Sequence, residues 1–106
     1  MAARIQLPGN ARRGDTIAVR VAIQHPMETG FRYDTMGRPV PKNVINTLVC
    51  RYNGEEVFRA ELGSGIAANP YIEFYTEARD SGPIEIHWED DGGAKGSERA
   101  SLTVHG

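Results

Sequence analysis

The chain has 106 residues and a formal net charge of −2, with 12 Lys and Arg against 14 Asp and Glu. That length accommodates one domain over residues 1–106 with one modest core, and excludes a multi-domain reading. No basic run tracks a phosphate backbone, no cationic amphipathic segment suits a membrane surface, and no apolar run approaches the ~20 residues of a membrane span, so the expected partners include neither nucleic acid nor membrane.

The chain opens Met1-Ala2-Ala3-Arg4-Ile5-Gln6, a polar alternating segment rather than the apolar core of a signal peptide, and by itself this reads as cytoplasmic. Gly14-Asp15 turns the chain into a strand in which Ile17, Val19, Val21 and Ile23 alternate with Ala18, Arg20, Ala22 and Gln24, one face buried and the other partly solvated. An insertion over residues 25–42 follows, too long for a simple hairpin turn. Asp34-Thr35-Met36-Gly37 has Asp at the first and Gly at the last position of a four-residue turn, where each is favoured, so the insertion is predicted to be a small hairpin of its own. Long ordered excursions from a β-scaffold usually carry recognition, because the strands would fold as well with a shorter connection.

Residues 44–52 form the next predicted strand and 55–62 its antiparallel partner, joined by Asn53-Gly54, a dipeptide that tolerates the positive φ of a two-residue hairpin loop. The stretch Gly63-Ser64-Gly65-Ile66-Ala67-Ala68-Asn69-Pro70 opposes a strand and is read as a connection between sheets. Alternation resumes over 71–78, with Ile72, Phe74, Thr76 and Ala78 on one face and Tyr71, Glu73, Tyr75 and Glu77 on the other. After a turn at Asp80-Ser81-Gly82-Pro83, the cleanest alternation in the chain predicts Ile84, Ile86 and Trp88 buried; Asp90-Asp91-Gly92-Gly93 turns again, and Ala100, Leu102 and Val104 mark the last inward face. No 3.6-residue stripe persists, so the fold class is all-β: an immunoglobulin-like antiparallel β-sandwich of about seven strands.

Chemistry-bearing residues are sparse. His25, His87 and His105 lack metal-ligand spacing, and the acidic turn Glu89-Asp90-Asp91 lacks the pattern of a calcium loop and reads as turn chemistry. No nucleophile elbow, phosphate loop or paired carboxylates are present, so no catalytic residue, metal or cofactor is expected. His25, Met27 and Met36 converging as soft copper ligands, or Cys50 acting as a thiol, define the alternative of a small copper- or thiol-dependent redox protein; a plain adhesion module is a third reading. Cys50 shares a face with Leu48, which favours packing over reactivity.

Several segments together resemble one family: His25-Pro26-Met27-Glu28-Thr29-Gly30 with Arg32 and Asp34, Gly37 before Val40-Pro41, Tyr52-Asn53-Gly54, Asn69-Pro70-Tyr71 with Phe74, and Trp88-Glu89-Asp90 before Gly92. Their order and spacing are similar to SoxZ, the smaller subunit of the SoxYZ sulfur carrier of thiosulfate oxidation. The resemblance implies a non-catalytic β-sandwich that scaffolds a SoxY-like protein, whose C-terminal Gly-rich arm carries sulfur on a cysteine, with transient contacts to other Sox enzymes. It also implies a periplasmic location reached by export with the partner, in place of the cytoplasm. This chain ends Ser101-Leu102-Thr103-Val104-His105-Gly106 and is not expected to be the arm itself. His25, Met27, Glu28, Phe31, Arg32, Tyr33, Asn69, Pro70 and Tyr71 are the expected partner-facing residues, being rich in the aromatic and Arg side chains of interface centres. Phe31, Tyr33 and Tyr71 closing the end of the domain's own core is the alternative, and Cys50 is a possible intersubunit thiol.

Overall fold

The computed structural model describes residues 3–63 and 65–106. Met1 and Ala2 of the opening segment, and Ser64 within the predicted 63–70 connection, lie outside the described residues. Two antiparallel sheets face each other. One has the order β1 (Ala3–Gln6), β3 (Thr16–Ile23), β6 (Tyr71–Glu77), and the other the order β5 (Glu55–Glu61), β4 (Ile45–Tyr52), β7 (Gly82–Asp90), β8 (Lys95–Leu102). Two short strands, β2 (Ala11–Arg12) and β9 (Val104–His105), pair in parallel beside them.

The alternation read from the sequence is the alternation of burial. Ile17, Val19, Val21 and Ile23 point inward from β3 and meet Leu48, Cys50, Ile84, Ile86 and Trp88 from the opposite sheet. Each fully buried aliphatic side chain of this set contributes roughly 1.5–3 kcal/mol. Phe58 stacks on Phe74 at 4.4 Å between ring centroids, tying β5 to β6 at one side of the sandwich. Asn53 and Gly54 take φ of 51° and 82°, the left-handed pair a two-residue hairpin loop needs.

Two local readings change. Gly82 and Pro83, read as turn, are the first residues of β7, where the Asn53 side chain occupies the space a Cβ on Gly82 would fill. The turn instead centres on Asp80, fixed because the Tyr52 hydroxyl donates to the Asp80 carbonyl at 2.5 Å and accepts the Arg79 N–H at 3.0 Å. Of the last inward set, Leu102 is buried, while Ala100 and Val104 are half-buried.

The molecule is elongated, with extents of 60 × 19 × 19 Å and a radius of gyration of 16.1 Å. A compact chain of this length has a radius near ~13 Å. An eight-residue strand spans only ~26 Å, and the seven residues from Glu28 to Asp34 add ~23 Å when extended. The insertion, bent at Gly30 (φ 91°), adds to that length. Among the described residues no helix is long and apolar enough to cross a membrane.

Candidate partner-binding surface

Residues 25–42 form an arm. Its base is a pair of backbone hydrogen bonds between Glu28 and Asn43, at 2.8 and 2.9 Å, and farther out the Val40 N–H donates to the Arg32 carbonyl at 2.9 Å. At the tip Asp34 organises the turn as its position predicts: one carboxylate oxygen accepts the N–H groups of Met36 and Arg38 at 2.8 and 2.9 Å, and its carbonyl accepts the Gly37 N–H at 3.1 Å. Arg32 grips Glu28 through two donors, at 3.1 and 2.6 Å, which holds the Glu28 carboxyl below its usual pKa range. Phe31, Met36 and Tyr33 are left 85%, 74% and 67% exposed.

Both legs of the arm are fastened to one acidic turn, the one joining β7 to β8. On the incoming leg, His25 Nε2 lies 2.9 Å from Asp90 Oδ2, and the Met27 N–H points at His25 Nδ1, also at 2.9 Å. A backbone N–H can only donate, so Nδ1 is the bare acceptor and Nε2 carries the proton given to Asp90. Burial alone would raise the Asp90 carboxyl; the hydrogen bonds from His25 and from the Ala94 N–H, with a smaller contribution from the Gly92 N–H, hold it below the usual carboxylate range. Met27 is held at φ 51°, a conformation non-glycine residues seldom adopt, and its sulfur accepts the Ile45 N–H at 3.3 Å. Asn69, at φ 54°, completes the base: its side-chain oxygen accepts the His25 N–H at 3.0 Å and its own N–H donates to the His25 carbonyl at 2.7 Å.

On the outgoing leg, Asp91 accepts the Val44 N–H at 3.2 Å and the Asn46 amide at 3.0 Å, and the Asn43 side chain accepts the Gly92 N–H at 3.1 Å. The Asn46 contact, then the Val44 contact, keep the Asp91 carboxyl below its usual range against the opposing effect of burial, and Lys42 adds to them.

A second exposed surface is the outer face of β1, β3 and β6. Register pairs Ala18 with Tyr75, Arg20 with Glu73 and Ala22 with Tyr71, so two exposed tyrosines stand beside small residues and flank an ion pair. Arg20 Nε donates to Glu73 at 2.7 Å and the Tyr75 hydroxyl donates to the other oxygen at 2.7 Å. Those bonds, Arg20 first, lower the Glu73 carboxyl, and the bond to Glu73 raises the Tyr75 phenol. Shallow grooves of about 560 and 400 Å³ flank β1, the larger reaching Gln6, Ala18 and Arg20 and the smaller Arg4, Ala22 and Asn69. The outer face of the four-stranded sheet is instead a lattice of surface ion pairs, Arg99–Glu85, Arg59–Glu56 and Lys95–Glu89 among them.

The expected partner-facing residues divide accordingly. Phe31, Arg32, Tyr33 and Tyr71 are exposed, so the aromatic three do not close the core. Glu28 is half-buried under Arg32. His25 and Met27 correct the expectation: at 2% and 3% exposure, with both ring nitrogens and the sulfur already engaged, they brace the arm from inside and have no surface to offer a partner. Pro70 is likewise buried, and the Asn69 amide is committed to His25. Cys50 is fully buried, and burial pushes its thiol up to about 12, which removes both the intersubunit disulfide and the reactive thiolate from this conformation. Met36 sits exposed on the arm while His25 and Met27 are sealed at its base, so the proposed copper ligands do not converge. His87 and His105 are exposed, His87 beside Glu85 at 3.4 Å and His105 beside Asn10 at 3.4 Å.

The Asp90 clamp was missed by the sequence reading, although parity carries the signal. Ile17, Val19, Val21 and Ile23 set an inward series that continues through 25 and 27, and Ile84, Ile86 and Trp88 set one that continues to 90. A histidine and a carboxylate on two facing buried series must satisfy each other or another buried group.

Fold and surface together define a small immunoglobulin-like sandwich that presents a braced arm and an aromatic sheet face. Among the described residues no three His, Cys, Asp or Glu side chains gather into a metal-holding group. The family model described as "Sulphur oxidation protein SoxZ" matches residues 5–101, and the chain belongs to this family. No curated protein sequence matches the chain. Among solved structures, the superoxide reductase (neelaredoxin) of Ignicoccus hospitalis is similar over 99% of this chain and 81% of its own, at 18% identity and a TM-score of 0.74. The sulfur carrier protein SoxY of Chlorobium limicola f thiosulfatophilum is similar over 99% of this chain and 80% of its own, at 13% identity and a TM-score of 0.66. A putative superoxide reductase of Thermotoga maritima is similar over 98% and 86%, at 15% identity and a TM-score of 0.72. At these identities the likeness is one of fold, and it bears out the immunoglobulin-like sandwich.

Proposed function

We propose that this chain is the non-catalytic subunit of a heterodimeric sulfur carrier, scaffolding a SoxY-like protein whose Gly-rich C-terminal arm bears the carrier cysteine during thiosulfate oxidation. The observation that carries this reading is the family match over residues 5–101. A carrier cysteine must enter several active sites in turn, which a Gly-rich tail allows and a buried strand position does not. Cys50, fully buried in β4, is unsuited to that task, and the work of this chain is to supply a rigid second sandwich. The tyrosine face of β1, β3 and β6 supports such a role, since aromatics beside small residues and shallow grooves can build toward the ~800 Å² that each side of a stable interface buries. The complex works in the periplasm, this chain crossing with its partner under the partner's export signal.

The test is co-expression with a SoxY-like protein followed by size-exclusion chromatography. One-to-one co-elution at micromolar concentration is expected, and Tyr71→Ser with Tyr75→Ser should loosen it. Two independently eluting monomers from the wild-type pair would overturn the reading.

A further inference from the structure

We propose that the arm is a second docking surface, distinct from the face that holds the constant partner, and that its occupant is an apolar cleft with an acidic rim on an enzyme that visits the heterodimer transiently. This rests on the carrier-subunit reading above.

The first ground is rigidity. An ordinary excursion from a sheet leaves its legs to solvent. Here one turn holds both ends of the arm, Asp90 through His25 where the arm leaves the first sheet and Asp91 through Val44 and Asn46 where the chain enters β4, and Met27 is kept in a left-handed conformation to complete the brace. Bracing lowers the ordering entropy lost when the tip docks.

Size decides between the two kinds of occupant. Phe31, Tyr33 and Met36 are 85%, 67% and 74% exposed. With large side chains of this kind burying 150 Å² or more each, the tip can offer ~400 Å², about half of what one side of a stable complex buries. That is the scale of an encounter that must form and release on every turnover. Reach agrees, because the arm, bent at Gly30 (φ 91°), can carry its tip up to ~23 Å from its base, toward a body other than the one packed on the sheet.

Charge supplies the rim. The arm over residues 28–42 carries Arg32, Arg38 and Lys42 against Glu28 and Asp34. Both carboxylates are occupied, Glu28 by Arg32 and Asp34 by the backbone of its own turn. Arg38 makes no ion pair among the described residues, and Lys42 stands 4.0 Å from Asp91 with half its side chain exposed. Three cations against two carboxylates leave the arm a net positive charge, with Asp34 still ionised inside its own turn, so carboxylates around the cleft complement Arg38 and Lys42.

The experiment uses the full heterodimer and steady-state kinetics of the cognate enzyme that consumes the sulfur-loaded carrier. The Phe31→Ser, Tyr33→Ser, Met36→Ser triple variant should elute with the partner and melt as the wild type does, because these side chains touch no core. The KM of the enzyme for the heterodimer should rise at least tenfold, while kcat stays within twofold. Arg38→Glu should also raise KM, and added salt should raise KM for the wild type more than for that variant. Unchanged KM in the triple variant overturns the inference. So does loss of the heterodimer in that variant alone, which would make the arm part of the constant interface. Failure of the wild-type chain to form the heterodimer refutes the proposed function first and this inference with it.

Discussion

Replacing Asp90 by Ala tests the brace. The carboxylate accepts the His25 Nε2–H and the Ala94 N–H, each at 2.9 Å. A hydrogen bond to a charged acceptor contributes ~1.5–3 kcal/mol, and a buried donor left without a partner costs ~1–3 kcal/mol. Ala94 is exposed and can turn to water, whereas His25 cannot. We therefore expect Asp90→Ala to lose about 3 kcal/mol, a drop of roughly 12–15 °C at the 4–5 °C per kcal/mol of a ~100-residue domain. Thermal unfolding followed by the fluorescence of Trp88, the only tryptophan, reads this directly. Native-state hydrogen exchange should show the Glu28 and Asn43 amides at the arm's base losing protection ahead of the core. A melting point within about 2 °C of the wild type, or arm amides no less protected than before, would refute the account of Asp90 as a buried brace.

The same carboxylate sets a pH dependence. Its pKa is depressed in the folded protein, so its contribution is present above the unfolded value of ~3.9 and is lost as pH falls through the lower folded value; Asp90→Asn should flatten that acid limb of a stability titration. The Cys50 thiol, pushed up to about 12, behaves in the opposite sense: its contribution is complete below the unfolded value and is lost as pH rises between ~8.5 and the folded value, and alkylation at pH 8 should label it only after denaturation. Arg32→Ala removes an exposed ion pair and should shift stability by less than about 0.5 kcal/mol, with any loss appearing in binding or turnover measured beside the melt. Gly96→Ala should destabilise by about 1–3 kcal/mol, because a Cβ there falls onto the Trp88 ring, and the tryptophan emission should shift with it.

Strand positions were legible because period-two burial leaves its mark in every residue of a half-buried strand; β3 and β7 show it over almost their whole length. The arm's turn was legible for a similar reason, since Asp34 and Gly37 act within four residues of one another. What joins the arm to the body was not. His25 and Asp90 are 65 positions apart and meet only when the two sheets close. His25 looked like a contact residue because it belongs to the insertion by sequence, yet it continues the inward parity of β3 by geometry. The exposed aromatics Phe31, Tyr33 and Tyr71 could have been core or surface by composition alone; the alternation of β6 and the outward reach of the arm settle their placement.

Native mass spectrometry of the reconstituted heterodimer after thiosulfate turnover, followed by release of the two subunits in the gas phase and peptide mapping, tests the central claim most directly, because one experiment reads the stoichiometry and the site of the sulfur adduct. The account predicts a one-to-one complex in which every adduct resides on the partner and this chain keeps its unmodified mass, with Cys50 a free thiol. A sulfur adduct on Cys50, or the two chains flying separately under conditions that preserve weak complexes, would contradict it.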